Sequence, residues 1–428
     1  MKIRCPKGFM HFFGLFGGFC FFSLGCFFQF CAPIQSLAMS IELHIVESKA
    51  KIALWHGVTR EIYLDYPQFV PHLQQDVEKL FQPQSNRLLD EGFARRWVAM
   101  EGQRCIGRIA AFFNPKYSDG QALRTGGMGF FECINHPQAA QMLLQGAENF
   151  LLQNGMQAVD GPINFGEKEA YWGLLIDNFH DINSFRMNFN PPYYRTFWED
   201  FGFREYYRQI CFKRQLNVPV QDVFLDKSQR FLQNKNITIR NMRGRSLAQM
   251  AQDFVVVYNN AWAGNFGFKT LSYEQAYKVM RAMHPMMDKD IIIFVYDAER
   301  PIAFYVNLPE INEFMRYANG SLTAWRLLRV LWAKWFAKRQ TMVGMVFGID
   351  RAYHGQGVEG AMIKWTQDHV VPLGRYSDTI LTWIGDFNPK MLKIADRLGA
   401  SPYRTLATYR KMLDKNCAFE RHPSLHEP

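Results

Sequence analysis

The sequence lacks the short motifs that identify several large classes of protein. It has no Cys-x-x-Cys and no His-Glu-x-x-His spacing, so we predict neither a structural zinc site nor a zinc hydrolase, and no metal site. It has no run of five or more basic residues, so nucleic-acid binding is not favoured. Proline and glycine are too few for a disordered chain, which leaves a globular protein.

The placement of the cysteines indicates a compartment. Half of the eight lie in the first 38 residues, and the others, Cys105, Cys133, Cys211 and Cys417, are far apart. Scattered thiols are typical of a reducing environment, so we predict a cytoplasmic location. The formal net charge of +10 suits an acidic partner such as nucleic acid, an anionic membrane or a phosphate-rich cofactor.

Residues 1–38 form an apolar N-terminal segment with three open interpretations. Basic residues near its start precede an uncharged, phenylalanine-rich run that extends to Ile41. A signal peptide is one interpretation, because 36–38 imitate a small-residue cleavage site. A membrane anchor is another, because an uncharged run of about 20 residues spans a bilayer. The third is an extension upstream of a true start at Met39, where an alternating strand pattern begins.

After Met39 the same order of predicted elements occurs twice. Hairpin patterns at 97–110 and 293–304 are each followed by a strand, a helix, a strand, a capped helix and a last strand. The predicted units are a first domain at 39–216, a linker at 217–236, a second domain at 237–413 and a tail at 414–428.

Helix-boundary residues support the duplication. Asn190 is predicted to open a helix that ends at Gly202, and Asn388 with Pro389 to open one that ends at Gly399. Asparagine at the N-cap, proline at the first helical position and glycine past the end are common at helix boundaries.

A glycine-rich turn in the second domain has the pattern of an anion-binding loop. A buried-strand pattern at 343–349 leads into it, and a helix follows. Such a turn leaves backbone N–H groups unpaired at the positive end of a helix, which suits a pyrophosphate. Gly355, Gly357 and Gly360 also match a dinucleotide-binding fingerprint. That interpretation is disfavoured, because five residues separate the strand from Gly355 and no acidic residue ends the next strand.

The turn resembles the pyrophosphate loop of the GNAT N-acyltransferases, whose pattern is Arg/Gln-x-x-Gly-x-Gly/Ala after the fourth strand. Here Gly357 fits, His354 stands where Arg or Gln is usual, and Glu359 replaces the second small residue. Asn388 occupies the place of the asparagine beside the pantetheine arm. Ala395 stands where many members have a tyrosine that protonates the leaving thiolate.

The resemblance implies an α/β (α+β) fold of tandem GNAT-like domains, each with a mixed, mostly antiparallel twisted sheet flanked by helices. It also implies acyl-CoA as co-substrate and acyl transfer to an amine. The cofactor-binding residues that it implies are Phe347, Gly348, Ile349, His354, Gly355, Gln356, Gly357, Val358, Glu359 and Asn388. Tyr409 is the nearest substitute by sequence for the missing tyrosine.

Blocks at 258–268 and 307–312 resemble bacterial tandem GNAT-like proteins, a group related to a bacterial ceramide synthase that N-acylates a long-chain base. This resemblance covers nearly the whole chain after Met39. It places the first block beside an acceptor groove. The predicted acceptor-binding residues are Tyr258, Trp262, Asn265 and Asn307. For Trp262, a packed helix end is the alternative.

Acyl transfer to an amine needs a base. Glu310, at the end of the second strand of its hairpin, is predicted to be this base, directly or through water. A solvated acid at a strand end is the alternative. The first domain has no glycine-rich turn after 129–134, so it is predicted to be degenerate for CoA binding, with a scaffolding or acceptor-binding role.

The segment 322–339 interleaves tryptophans with basic residues. A basic amphipathic helix of this kind lies in a membrane interface or docks an acidic carrier protein, and a helix that covers the core of the second domain is the alternative. The predicted acceptor is a small-molecule or lipid amine. Two other functions remain open: an inactive scaffold that binds an acyl-thioester or a protein partner, and a transferase with an aminoacyl-tRNA donor.

Overall fold

The computed structural model describes residues 40–118, 122–166, 168–218, 222–262, 270–336 and 341–425. The predictions for 1–38 therefore lie outside the described residues. Below, "first half" means the described part of 40–216 and "second half" that of 237–413. Among the helices in these ranges, none combines the length and the apolar character needed to cross a bilayer.

The first half begins with the predicted alternating strand. Its elements in chain order are β1 (Ile41–Ile45), α1 (Lys49–Gly57), α2 (Thr59–Ile62), α3 (Gln74–Lys79), β2 (Phe93–Glu101), β3 (Arg104–Phe113), α4 (Pro115–Ser118), β4 (Thr125–Cys133), α5 (Pro137–Gln153), β5 (Ala158–Gly161), β6 (Leu174–Asp177), α6 (Tyr194–Asp200) and β7 (Arg204–Gln215).

The second half repeats this order after α7 (Asp222–Leu232), which lies within the predicted linker. Its elements are β8 (Ile237–Asn241), α8 (Leu247–Trp262), α9 (Tyr273–Met283), β9 (Ile292–Asp297), β10 (Arg300–Pro309), α10 (Asn312–Met315), α11 (Ala324–Phe336), β11 (Thr341–Ile349), α12 (Val358–His369), β12 (Asp378–Gly385), α13 (Pro389–Arg397) and β13 (Ser401–Met412).

Within the described residues, all thirteen strands join one mixed, mostly antiparallel sheet. Its order is β1-β2-β3-β4-β5-β13-β7-β12-β11-β10-β9-β8, with β6 paired to β13. Both predicted hairpins, β2–β3 and β9–β10, are confirmed. The parallel neighbours are β4 with β5 and β11 with β12. The predicted fold class, a mixed and mostly antiparallel sheet flanked by helices, is therefore confirmed.

The two halves exchange their last strands. β7, from the first half, pairs with β12, whereas β13, from the second half, pairs with β5. Tyr409 of β13 lies opposite Gly161 and is fully buried in the core cluster of the first half, with Trp198. The sequence predicts one sheet for each half, and the exchange instead joins them into one sheet.

Helices cover both faces of each half. In the first half, Trp55 of α1 packs with Val98 and Ala110 on one face, and Leu143 of α5 packs on the other. In the second half, α8 and α9 cover one face and α12 the other. Because helices cover the faces of the sheet, a ligand can reach the strand backbone where neighbouring strands separate near the loops.

Helix boundaries follow the sequence prediction with one exception. Asn388 is the N-cap of α13, and Gly202 and Gly399 adopt positive φ angles of 95° and 69° just past their helices. Asn190, however, lies outside α6, because its side chain bonds the backbone N–H and C=O of Leu175 in β6, at 2.7 and 3.2 Å.

Candidate active site

Two parallel strands of the second half separate and form a fork. β11 and β12 pair only as far as Gly344 and Leu381, although they continue to Ile349 and Gly385. Met345, the first residue of β11 beyond the pairing, is 39% exposed. Because β11 bonds β10 along its other edge, the edge facing the fork has backbone groups available for an extended, amide-bearing chain.

The helix after the fork begins with backbone donors that have no partner within the helix. Gly357 is the N-cap of α12, with φ of 93° and no side-chain cap. The first intrahelical bond runs from the N–H of Ala361 to the C=O of Gly357, at 3.1 Å. The N–H groups of Val358, Glu359 and Gly360 therefore lack intrahelical acceptors. These donors and the positive helix end suit a pyrophosphate.

In the first half, the positions that correspond to the fork and to the helix N-terminus are already occupied by contacts within the chain. His136 caps α5, because its Nδ1 accepts from the N–H of Ala139 at 3.3 Å, and Pro137 has no N–H to offer. The fork between β4 and β5 is crossed by the following segment, where the N–H of Ile163 donates to the C=O of Met128 at 2.7 Å. The two halves therefore share a topology but differ at the place where a thioester cofactor would bind.

Part of the predicted linker packs directly on the glycine-rich turn. A Cβ atom on Gly357 would lie 2.6 Å from the carbonyl carbon of Lys227 and 2.8 Å from the nitrogen of Ser228, both in α7. A Cβ on Gly355 would meet nothing within 4 Å, and both Gly355 and Gln356 are exposed. Helix packing as well as turn geometry thus requires Gly357, and the accessible tip of the loop is Gly355–Gln356.

The predicted strand residues are held by the core on the faces of β11. A Cβ on Gly348 would lie 2.8 Å from Phe304 and 2.9 Å from Trp262, so a larger residue does not fit there. The ring of Phe347 packs edge-on against Tyr305 at 5.6 Å. The Nε2 atom of His354 lies 3.1 Å from the C=O of Ile349, so this ring folds back on the strand end.

Asn388 is occupied by a structural bond. Its side-chain oxygen accepts from the N–H of Met391 at 3.2 Å, which caps α13. Ala395, where the GNAT resemblance would place a tyrosine, is buried against Phe212 and Ile384. A tyrosine at this position would not fit without repacking that cluster.

The predicted acceptor-binding residues are separated by the structure. Tyr258 stacks on Trp262 at 4.7 Å, and both rings pack against the cluster around Phe304, so the packed helix end describes Trp262 better. Asn265 lies outside the described residues. Asn307 is fully buried in β10, opposite Gly344, where the fork begins.

Asn307 is the predicted acceptor residue that adjoins the fork. Its Nδ2 donates to the C=O of Ile291 at 2.9 Å, while its Oδ1 accepts no hydrogen bond within the described chain. A Cβ on Gly344 would lie 3.5 Å from that oxygen. A buried amide oxygen without a donor is costly, so the apex of the fork holds an unsatisfied acceptor.

Glu310 lies at the end of β11 away from the loop, beyond the apex of the fork, and its carboxyl group is already engaged by the first half. Its backbone N–H donates to Thr341, at the start of β11, whereas the loop follows Ile349, roughly 25 Å away along the strand. The side chain is buried, and its Oε1 accepts from the N–H groups of Phe185 and Asn312 at 3.1 and 3.0 Å. Burial raises the pKa of Glu310 to about 7. The Glu310 side chain thus forms a hydrogen-bonded contact between the two halves.

Tyr409 is also remote from the loop, because β13 lies three strands from β11, or roughly 14 Å across the sheet. Its hydroxyl donates to Oε1 of Glu199 at 3.1 Å. Burial and the charge of Glu199 raise the pKa of Tyr409. The strand exchange therefore contradicts the prediction that Tyr409 replaces the missing acid.

A buried polar cluster in the first half escaped the sequence prediction. Oε2 of Glu132 lies 2.8 Å from the hydroxyls of both Tyr63 and Tyr194, and Oε1 lies 3.5 Å from Nη2 of Arg108. Burial raises the pKa of Glu132 against the opposing effect of Arg108. The hydroxyl of Tyr63 is also 2.8 Å from the C=O of Phe189. The single proton of this hydroxyl can be donated to only one of the two acceptors at a time.

This cluster lies at the bottom of a cleft of about 440 Å³. Its wall includes His72, whose pKa is lowered to about 3 by burial and by the nearby charges of Arg108 and Arg186. Arg316 and Gly320, from the second half, also line the cleft. The cluster was not predictable from local sequence, because Tyr63 follows α2, the other members come from β3, β4 and α6, and they share no motif.

The sequence is similar to two curated bacterial proteins. No protein-family model matches the chain. Protein YghO of Escherichia coli is 25% identical over 362 residues, 82% of this chain and 90% of YghO. Bacterial ceramide synthase of Caulobacter vibrioides is 21% identical over 388 residues, 89% of this chain and 100% of the synthase.

Solved structures with a similar chain path include a tandem GNAT protein from the clavulanic acid biosynthesis pathway, with a TM-score of 0.48 and 8% identity over 87% of this chain and 98% of that one. A GCN5-related glucosamine N-acetyltransferase region of a fungal enzyme has a TM-score of 0.49 and 12% identity, over 87% of this chain and 38% of that longer chain. The protein is thus similar over most of its length to YghO and to bacterial ceramide synthase. The order of elements that the GNAT resemblance predicts occurs two times in the chain.

Proposed function

We propose that the protein is an N-acyltransferase that moves an acyl group from a CoA thioester to an amine. The observation that carries the proposal is the fork of β11 and β12 followed by the uncapped N-terminus of α12. The nitrogen of the neutral amine would form a bond to the thioester carbonyl carbon, the carbon–sulfur bond would break, and the proton lost from nitrogen would balance the one that the leaving sulfur gains to become the CoA thiol. The second half would bind the thioester.

Residues of the fork have distinct parts in this proposal. The N–H groups of Val358, Glu359 and Gly360 would hold the pyrophosphate, and the free edge of β11 would bind the pantetheine amides. The Oδ1 atom of Asn307 would accept an N–H at the apex of the fork. A thiol is already a tolerable leaving group, so the absence of a tyrosine at Ala395 does not prevent the reaction.

The acceptor that we favour is a lipid amine such as a long-chain base. The similarity to bacterial ceramide synthase spans the whole of that protein and motivates this choice, because a ceramide is an N-acylated long-chain base. We also place the protein in the cytoplasm, where CoA thioesters are available, with contact to a membrane surface.

The test combines ligand binding with turnover in the full chain. Thermal stability is titrated with CoA, acetyl-CoA and palmitoyl-CoA, and thiol release is followed with small amines and with a long-chain base. Binding should raise the melting temperature with ligand concentration by mass action. Gln356→Glu places a negative charge at the exposed tip of the loop and should abolish the rise, whereas Gln145→Glu, which adds the same charge on α5, should preserve it.

One observation favours a second candidate, an inactive scaffold that binds a thioester or a protein partner. The backbone of α7 lies against Gly357, which restricts the approach to one side of the loop. Stabilisation by CoA without thiol release from any acyl-CoA and amine would support the scaffold. Failure of all CoA derivatives to raise the melting temperature would remove the acyl-CoA transferase.

A further inference from the structure

The outward face of α11 is apolar, whereas a helix on a soluble protein normally turns its apolar stripe toward the core. Trp325, Trp332 and Trp335 are 69%, 64% and 76% exposed. The residues of α11 that are buried are Val330 and Ala333, which pack with Phe314 and Ala318 in a small core cluster. The alternative in which the stripe of tryptophans covers the core of the second half is therefore wrong.

The exposed residues form one continuous stripe, here called the α11 surface. Its members, at intervals of three and four residues, are Trp325, Leu328, Leu331, Trp332, Trp335 and Phe336. At about 100° per residue these side chains share one side of the helix, and Arg329 and Lys334 lie on its opposite flanks. Six large apolar groups on one solvent-facing surface indicate a binding site rather than scattered exposure.

The sequence that carries this stripe has charge of one sign. Between Glu313 and Asp350 the sequence contains six basic residues and no acidic residue. The guanidinium of Arg329 lies over the ring of Tyr317 at 5.9 Å, and Arg326 donates to the C=O of Asn319 at 3.3 Å, so both are held beside the helix. An apolar stripe with tryptophans and basic flanks matches the interface of an anionic bilayer, where both indole rings and cationic side chains bind favourably.

A second copy of the chain fits this surface poorly. In a symmetric dimer the same patch contacts itself, which would bring Arg326, Arg329 and Lys334 of each copy together with no acidic residue on α11 to pair with them. We infer that the α11 surface docks in the interface of a membrane that contains anionic phospholipids, with the helix axis parallel to the bilayer plane. This inference does not require the proposed acyl transfer.

The α11 surface precedes the fork in sequence and adjoins the cleft in the structure. α11 is followed in sequence by β11, the first arm of the fork, after residues 337–340. At its other end, Arg326 bonds Asn319, which together with Gly320 lines the cleft of the buried cluster. A protein docked in this way would hold the cleft close to the lipid surface.

The experiment uses the full chain with vesicles of phosphatidylcholine alone or mixed with phosphatidylglycerol. Flotation should show binding to the mixed vesicles that weakens with salt. The variant Trp325→Glu/Trp332→Glu/Trp335→Glu should bind at least about tenfold more weakly. The matched control Leu152→Glu/Leu232→Glu/Leu373→Glu adds the same charge at exposed apolar positions on other elements and should bind like the wild type.

A local readout separates the α11 surface from the apolar residues 1–38, which have their own potential affinity for lipid. Brominated phospholipids should quench part of the tryptophan fluorescence of the wild type. Trp325→Phe/Trp332→Phe/Trp335→Phe keeps the stripe apolar, so it should retain flotation but lose this quenched fraction. Quenching that is the same in the phenylalanine variant, or binding unaffected by the glutamate variant, would overturn the inference. A dimer that the glutamate variant dissociates would assign the surface to a second copy instead.

Discussion

Glu310 accepts a hydrogen bond from the backbone N–H of Phe185, 125 residues earlier in the chain, at 3.1 Å. The carboxyl is 3% exposed, and the N–H of Asn312 is its second donor. A titratable group is therefore buried where the two halves meet. Its protonation state therefore links pH to the stability of this junction.

The pKa of Glu310, raised by burial from 4.5 to about 7, gives a signed prediction. Between these values the folded protein keeps a proton that the unfolded chain releases, so the free energy of unfolding falls as pH rises through this window. The loss is about 3 kcal/mol above the folded pKa. Glu310→Gln, which cannot ionise, should remove this component of the pH dependence.

Urea denaturation at several pH values measures the effect. The control is Glu299→Gln, because the side chain of Glu299 is 87% exposed and should leave the profile unchanged. A profile for Glu310→Gln that retains the full wild-type slope between about pH 5 and about pH 7 would show that another group is responsible.

The two glycines of the loop should respond differently to alanine. Both have positive φ angles, 76° for Gly355 and 93° for Gly357, so each substitution costs about 1 kcal/mol in backbone strain. Gly357→Ala also forces Cβ against the backbone of α7 and should cost at least about 2 kcal/mol more. Thermal and urea denaturation compare the two variants, and equal costs would contradict the packing of α7 on the turn.

Tyr409 should matter for stability and not for chemistry. Tyr409→Phe removes the hydrogen bond to Glu199 and should destabilise by about 1 kcal/mol. Tyr409→Ala removes a fully buried ring from the core of the first half and should cost about 3–5 kcal/mol. Turnover and its pH profile should be unchanged in Tyr409→Phe. A large loss of turnover in this stable variant would restore the role of acid that the sequence predicts.

The buried pair of Glu132 and Arg108 should be sensitive to the loss of one partner. Arg108 is 5% exposed, so Glu132→Ala leaves a buried guanidinium without its counter-charge and should cost about 3–5 kcal/mol. Glu91→Ala breaks the exposed pair with Lys116, whose side chains are 57% and 74% exposed, and should cost less than about 1 kcal/mol. Similar losses in the two variants would mean that water reaches the cluster.

Local sequence patterns located the elements of the fork, because strands, turns and helix caps depend on neighbours in the chain. The strand before the glycine-rich turn, the helix after it and the cap at Asn388 are all present. The roles of individual side chains could be predicted less well from the sequence. Glu310 and Tyr409 were assigned by analogy of position, and both side chains turn out to be buried at contacts with the first half.

The sequence by itself determined the duplication, the mixed sheet and the glycine-rich turn, because hydrophobic periodicity and backbone preferences act over short distances. Only the tertiary structure decided that β7 and β13 change places, that α7 packs on Gly357, and that the tryptophans of α11 face outward. An apolar stripe has the same period whichever way it faces. Which surface it meets depends on pairings between residues hundreds of positions apart, and the strand exchange sets those pairings.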